Sequence, residues 1–384
     1  MKAGWITTPL SQLCDIKHGF AFKSEFFTGS GDHVLLTPGN FHESGGYRDR
    51  GDKQKYYSGE IPDGFVLSEG DLLVAMTEQA AGLLGSPILV PESGNFLHNQ
   101  RLGLVTKKAG AAWTNEFFFH VFNSDAVRKA IHDSATGVKV RHTSPSKIGE
   151  VIVTIPASLA EQRRIVGILD EAFEGLATAK ANAEQNLQNA RALFESHLQA
   201  VFTQRGHGWV EKPLESLGEI RTGKRDANHQ VENGPYPFYT CAFGQFKSPT
   251  FSFDGPSIIL PGNGANVGKV FFHDGRFEAY QRTYVVNELT QSINPRFLYF
   301  CFSANWPGWI ATKQFGSATN YIVVGDLKAF PVPTPPLPVQ KKTVEQLESF
   351  TEETQRLESL YQRKLAALDE LKKSLLHRAF SGKL

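Results

Sequence analysis

The sequence predicts an α+β protein built by internal duplication, in which two globular mixed α/β domains alternate with two long helices that pack as an antiparallel coiled coil. Three observations lead there. The stretches 157–202 and 338–380 are similar at both ends, "SLAEQRRIV" against "PLPVQKKTV" and "LFESHLQAVF" against "LKKSLLHRAF", and Gln162/Gln340, Val166/Val344 and Phe202/Phe380 all stand 178 residues apart. The opening "WITTPLSQLCDIKHG" returns as "WVEKPLESLGEIRTG", with Trp5/Trp209, Pro9/Pro213, Leu13/Leu217, Ile16/Ile220 and Gly19/Gly223 each 204 residues apart. Between these landmarks both copies run through short apolar segments bounded by Gly, Pro, Asn and Asp, then a helical piece. The order is globe, rod, globe, rod, with predicted boundaries 1–156, 157–205, 206–337 and 338–384.

In the first globe, "HVLLTPGN", "GFVLSEGDLLVAMT", "GLLGSPILVPESG" and "RLGLVTKK" read as strands and turns, followed by a helix over Asn115–His132. The second globe repeats the order with "GPYPFYTC", "PSIILPGNG", "GKVFFHDG" and "QRTYVVNE", and a helix after Asn294-Pro295. Each copy then has a loop with glycine or serine, "SATGVKVRHTSPSKIGE" and "FGSATNYIVVGDLKA", and a proline-bearing lead into its rod. Trp5, Trp113 and Trp209 are expected in the cores, whereas Trp306 and Trp309 in "NWPGW" suit an exposed turn as well as a core. The two offsets differ by 26 residues, so the first globe holds that much more chain inside the same frame.

In the second rod Leu347, Phe350, Thr354, Leu357, Tyr361, Lys364, Leu368, Leu371 and Leu375 alternate three and four apart, the seam of a heptad repeat. The first rod carries Leu169, Ala172, Leu176, Ala179, Ala183, Ala190 and Leu193 on that spacing, and its alanines allow a close neighbour. At 1.5 Å rise per residue each rod is roughly 60 Å long. A rod of that length with one apolar stripe needs a partner, and the other rod is the nearest one.

Length and composition set bounds. The chain has 384 residues, 41% of them hydrophobic, which is enough for two or three domains with real cores. No apolar run reaches the 18 or so residues of a membrane span, the N-terminus has no apolar signal core, and Cys14, Cys241 and Cys301 are too scattered for a disulfide framework. A cytoplasmic protein without membrane contact is expected. Net charge is +1, and residues 1–156 carry 15 basic against 16 acidic side chains. A polyanion ligand therefore requires cations sorted onto one face, or a partner that shares the neutralisation.

Catalytic signatures are missing. "GNGANVGKV" (262–270) fails as a phosphate loop, because Asn263 and Val270 stand where a glycine and a Ser or Thr are needed, and it reads as a turn between strands. "INPRF" reads as a helix start. There is no H-E-x-x-H, no Cys/His cluster and no paired-carboxylate grouping, so no catalytic or metal-binding residue is assigned and no cofactor is expected in the chain.

What remains is basic and aromatic material on loops. "GGYRDRGDKQKYY" (45–57) interleaves Arg48, Arg50, Lys53 and Lys55 with Tyr47, Tyr56 and Tyr57, and Lys139, Arg141, His142 and Lys147 follow later. The second globe offers Arg221, Lys224, Arg225, Lys269, Arg276, Arg282, Lys313 and Asn320. Any one of them alone reads as a solvated charge. As clusters they suit phosphates and base edges, and Arg48, Lys53, Lys55, Arg141, Lys224, Arg225 and Lys313 are the candidate DNA contacts.

The duplication, "TIPASLAEQRRIVGILD" at 154–170, "TPPLPVQKKTVEQL" at 334–347, the "RAFSGKL" ending and the W...PL..L......G opening together resemble the specificity subunit of bacterial type I restriction-modification systems over essentially the whole chain. Val339 departs from the family's Glu, which is kept as Glu161, and Lys341-Lys342 replace Arg163-Arg164. The resemblance implies a non-catalytic subunit whose globes are target recognition domains, each reading half of a split, asymmetric double-stranded DNA sequence, with the rods as a ruler. It implies two methyltransferase subunits carrying S-adenosylmethionine as partners for adenine N6 methylation. Restriction motor-nuclease subunits using ATP and Mg are optional members of the assembly. The rival reading is a protein-binding scaffold with two adaptor domains.

Overall fold

The computed structural model describes residues 4–79, 81–242, 244, 246–313 and 320–384. It forms two compact units, one made of residues 1–182 with 364–384, the other of residues 183–363. The helices are α1 (Asn115–Phe122), α2 (Asp125–Ser134), α3 (Pro145–Gly149), α4 (Leu159–Thr203), α5 (Pro295–Ala311), α6 (Val324–Lys328) and α7 (Leu337–Phe380). Each unit thus holds a globe, the beginning of the long helix that follows it and the end of the other long helix. Among the described residues no helix is long and apolar enough to cross a membrane.

In the first unit β1 (Trp5–Pro9) pairs antiparallel with β12 (Ile152–Pro156), bringing the opening of the globe to the point where α4 begins. The central antiparallel sheet has the order β2 (Cys14–His18), β10 (Leu102–Lys107), β6 (Leu72–Ala75), β8 (Pro87–Leu89). A second sheet joins β3 (Phe27–Thr28), β5 (Tyr56–Tyr57), β4 (Val34–Leu35) and β9 (Phe96–Leu97), and a two-stranded piece joins β7 (Thr77–Glu78) to β11 (Arg141–His142).

The second unit repeats this plan. The strand β13 (Val210–Pro213) pairs with β21 (Pro331–Thr334). The central sheet is β14 (Glu219–Thr222), β20 (Thr283–Asn287), β17 (Ser257–Pro261), β18 (Phe271–His273). The smaller sheet is β16 (Phe246–Ser248), β15 (Tyr236–Tyr239), β19 (Glu278–Ala279).

Sheet register makes the duplication quantitative. One rung of the first sheet is Ile16, Val105, Leu72 and Leu89, and the matching rung of the second is Ile220, Val286, Ile258 and Phe272. All eight side chains belong to or pack on the core beneath their helices, as alternation along a half-buried strand requires. The offset is 204 at Ile16/Ile220 and 186 at Leu72/Ile258, then 183, 181 and finally 178 at the long helices. Most of the extra 26 residues therefore lie between β2 and β6. There they build the aromatic sheet of the first globe around Phe22, Leu35, Tyr57 and Leu97.

The long helices seal both cores. Ile165 and Leu169 of α4 and Leu376 and Ala379 of α7 are buried in the first core, and Phe380 meets Phe117 at 5.7 Å between ring centroids. Val344 and Leu347 of α7 and Leu198 and Phe202 of α4 do the same in the second, where Phe202 meets Phe297 at 5.3 Å. Fully burying each Leu or Phe contributes about 1.5–3 kcal/mol. The helices pair antiparallel in each unit, through Lys180–Asp369 (3.0 Å) and Lys372 over Phe173 in the first, and through Arg191–Glu358 (3.0 Å) and stacked Phe194–Phe350 in the second. The expected coiled coil is present.

Two expectations change. The single helix expected over 115–132 is two, because Asn123 turns its Nδ2 to the carbonyl of Ser44 while Ser124 takes extended backbone and starts α2. "NWPGW" is not a turn: it lies within α5, which accommodates Pro307, and of its two tryptophans Trp306 is fully buried and Trp309 half-buried, while Pro307 and Gly308 are exposed. "GNGANVGKV" is the β17–β18 connection and Asn294 caps α5 by accepting from the amides of Arg296 and Phe297, as expected. Trp5 and Trp113 are buried and Trp209 packs half-buried on the second core. The glycine/serine loop at 314–319 lies outside the described residues.

The glutamine shared by both helix starts explains why that motif recurs. Buried Gln162 donates through Nε2 to the carbonyls of Ala112 and Pro156, and buried Gln340 donates to the equivalent carbonyls of Ser292 and Pro335. Gln340 also accepts the Asn294 amide at 2.7 Å, whereas Oε1 of Gln162 has no partner among the described residues. Each orphaned buried group costs about 1–3 kcal/mol. Gln340→Ala should therefore destabilise the second unit by about 3 kcal/mol or more, and Gln162→Ala should cost the first unit less. Chemical denaturation followed by a tryptophan signal in each unit measures the difference.

Buried His98 gives the first unit a pH dependence. Its Nε2 donates to the Leu102 carbonyl at 3.0 Å, its Nδ1 has no partner among the described residues, and burial pushes the ring pKa down to about 4. The folded value lies below the unfolded one, so the neutral ring's contribution is complete above about pH 6.5 and is lost as pH falls toward 4. About 2 kcal/mol should disappear between pH 7.5 and 5, a slope that His98→Gln removes from the melting curve.

Candidate nucleic-acid interface

The frame of each globe is fixed by its central sheet, so variety is confined to connections, and the candidate cations all lie on or beside them. The structure sorts the seven into three kinds. Arg48 and Lys53 are exposed and, among the described residues, make no ion pair; with Gly39, Asp49, Arg50 and Asp52 they line a cleft of about 490 Å³. Asp49 accepts the Gly51 amide at 2.9 Å, which shapes the turn, and the Arg50 guanidinium lies against Gly39, where a Cβ would approach it to 3.1 Å. Lys224, after β14, is likewise exposed. These three are free to meet phosphate.

Lys55 and Lys313 sit on aromatic faces, with Nζ 5.4 Å from the Phe27 centroid and 4.6 Å from that of Trp309. Arg141 and Arg225 are fastened to buried carboxylates that the sequence did not single out. Oε2 of Glu78, nearly inaccessible, accepts the amides of Gly82, Leu83 and Leu84. Its Oε1 is 3.7 Å from His132 Nε2 and 4.0 Å from Arg141. Arg141 also bonds His132, through its ring and at 2.7 Å through its carbonyl. Arg128 donates to the Gly82 carbonyl from the far side, and burial lowers its pKa to about 10. In the second globe fully buried Glu278 takes Ser252 Oγ at 2.9 Å, Arg225 Nε at 3.3 Å, Thr250 Oγ1 at 3.4 Å and the Ala279 amide at 3.0 Å. Short alternating stretches gave no sign that these two glutamates point inward, and only the excess of nearby arginines could have signalled them.

The Glu78–Arg141 pair positions a loop. Thr136 and His142 exchange backbone hydrogen bonds, and Gly137 turns with φ +104° where a Cβ would come within 2.1 Å of the Val140 carbonyl. Val138 is left 98% exposed at the tip beside exposed Lys139. The second globe has an Asn263–Tyr321 bridge at the matching place, with the Gly264 amide on the Asn320 carbonyl at 2.8 Å. In both globes a residue just before α3 or α6 is thus paired with the chain that leaves the second central strand, β6 or β17.

The two kinds of cation should respond differently to truncation. Arg48→Ala and Lys53→Ala should leave stability within about 0.5 kcal/mol, whereas Arg141→Ala, which removes the bonds to His132 and a cation 4.0 Å from buried Glu78, should cost about 1–3 kcal/mol. Arg225→Ala should cost at least as much as Arg141→Ala, because Arg225 hydrogen-bonds fully buried Glu278 at 3.3 Å whereas Arg141 stands 4.0 Å from Glu78. Thermal melts of the four variants give the order.

Comparison with known proteins agrees with the geometry. A family model for the type I restriction modification DNA specificity domain matches residues 206–365. The specificity subunit of the type I restriction enzyme EcoDI of Escherichia coli is 31% identical over 176 residues, 46% of this chain and 38% of that protein. That of EcoBI, also from Escherichia coli, is 22% identical over 99% of this chain and 86% of its own length. Among solved structures, one from a study of complex assembly and conformational transition in a type I restriction-modification system superposes with a TM-score of 0.80 at 18% identity, covering 100% of this chain and 99% of that one. The specificity subunit from Thermoanaerobacter tengcongensis gives 0.63 at 18% identity, over 100% and 98%. The family model places a type I restriction modification DNA specificity domain at residues 206–365, and over its whole length the chain is similar to the specificity subunits of type I restriction-modification systems.

Proposed function

We propose that each globe reads one half of a split, asymmetric double-stranded DNA sequence and that the paired helices set the number of unread bases between the halves. The observation that carries this reading is the constant frame with unequal contents: matching rungs of the two sheets are paired in the same strand order while the connections between β2 and β6, and between β14 and β17, differ in length and chemistry. Two readers on one frame with different loops suit a target whose halves differ. Arg48, Lys53 and Lys224 serve as phosphate contacts, and the 136–142 hairpin, with Lys139 and Val138 at its tip, is the element shaped to enter a groove. Arg141 and Arg225 position loops, and Lys55 and Lys313 offer a cation beside an aromatic face.

The chain binds no cofactor of its own in this reading. Two methyltransferase subunits bring S-adenosylmethionine for adenine N6 methylation, restriction motor-nuclease subunits bring ATP and Mg for cleavage, and the assembly works in the cytoplasm. The near-neutral charge fits a subunit that shares phosphate neutralisation with such partners.

The test is base-resolution mapping of N6-methyladenine in a methylation-free host that expresses this chain with its methyltransferase. A two-part motif with a fixed gap is the expected result. Removing one heptad from each long helix shortens the pair by about 10 Å, so the gap should change while both half-sites persist. Altered half-sites with an unchanged gap would rule the ruler out.

A further inference from the structure

Duplication creates a problem that the chain has to solve. Two homologous helices that pair antiparallel with each other are equally suited to pair with their own copies on a second molecule, unless they differ at equivalent positions. Here they differ in volume along the seam. Ala172, Ala179, Ala183 and Ala190 of α4 stand 178 residues before Phe350, Leu357, Tyr361 and Leu368 of α7. Ala183 and Ala190 are buried, and the four larger residues are half-buried, so these positions face a partner. Leu187/Leu365 is even, while Leu176/Thr354 runs the other way, as do Phe173/Thr351 and Phe194/Lys372 beside the seam.

Charge carries the same asymmetry. Lys180–Asp369 and Arg191–Glu358 are one interaction under the repeat, since Lys180/Glu358 and Arg191/Asp369 are both 178 apart. Yet both cations lie on α4 and both carboxylates on α7. In an α4–α4 pair of the same register Lys180 would oppose Arg191 of a second copy, and facing alanines would leave gaps. In an α7–α7 pair Glu358 would oppose Asp369, and facing Phe, Leu and Tyr would crowd. Lys372 relieves part of the repulsion in that second case, so there the bulk of the seam discriminates. Half-exposed ion pairs are individually weak, and seam volume therefore sets the size of the preference while charge reinforces its sign.

We propose that α4 and α7 carry a pairing code for unlike helices: α4 accepts an α7 seam and disfavours a second α4, and α7 disfavours a second α7. The code selects one partner surface, a helix with large apolar seam residues and flanking acids for α4, and its complement for α7. It does not rest on what the globes bind.

Three full-length variants test it. One gives α4 the α7 code (Ala179→Leu, Ala183→Tyr, Ala190→Leu, Lys180→Glu, Arg191→Asp). One gives α7 the α4 code (Leu357→Ala, Tyr361→Ala, Leu368→Ala, Glu358→Lys, Asp369→Arg). The third carries both sets. Each single exchange should lower the melting midpoint by about 5 °C or more, the double exchange should recover at least half of that, and mixing the two single-exchange chains should give a one-to-one complex by native mass spectrometry. A double exchange that melts no higher than the worse single exchange, with no mixed complex, overturns the proposal. Should a single exchange fail to fold, Lys180→Glu/Arg191→Asp is compared with and without Glu358→Lys/Asp369→Arg. Recovery of a midpoint lowered by about 2–4 °C supports the code, and no recovery overturns it.

Discussion

The structure depends on the burial of helix ends in cores that they do not begin from. The first core is incomplete without Leu376 and Ala379, which belong to the C-terminal turns of α7, and the second is incomplete without Leu198 and Phe202 at the end of α4. Neither globe can bury its apolar helices with its own segment of chain alone. A helix held at both ends by cores loses little to fraying, the usual weakness of a long exposed helix. The 178-residue identity of spacing at both ends follows: inserting a residue into one rod would rotate its terminal Leu and Phe out of a core by about 100°.

That constraint separates parts of the chain that must stay fixed from parts that need not. Rungs of the central sheets, the buried glutamines and the helix ends are tied to one another through registers that a one-residue slip destroys. The connection between β2 and β6 carries its own small aromatic core, so it can grow without disturbing the frame. The cations divide along the same line. Those near the frame, Arg141 and Arg225, are bound to buried carboxylates and give shape, while Arg48, Lys53 and Lys224 lie outward and give charge. A chain of net charge +1 can still present cations locally, because charge need balance only over the whole chain, and Glu78, Glu278, Asp369 and Glu358 each face a cation of the frame and not these three.

Repetition was the legible part of the sequence. Positions such as Gln162/Gln340 and Ile16/Ile220 can be matched without knowing what they touch, and the heptads of α7 announce a partner. The break at Asn123 was illegible because it is decided by a hydrogen bond to Ser44, far away in sequence. Helical "NWPGW" was illegible because burial of Trp306 outweighs what a proline removes from a helix. The roles of Arg141 and Arg225 were hidden for the same reason: a glutamate in a two-residue strand looks like surface until the fold turns it inward. Local pattern fixes where elements are, and long-range contact decides which charges are spent.

The symmetry of the frame and the asymmetry of its surfaces then belong to one design logic. A perfectly repeated chain would present two identical readers on two interchangeable helices, and like helices would pair as readily as unlike ones. Here the loops diverge between globes, and the seams diverge between helices at Ala183/Tyr361 and Ala190/Leu368, while the buried helix ends and the glutamine anchors stay alike. On the proposed reading, divergence has gone where it changes what a globe or a helix recognises. Identity has been kept where a change would open a core.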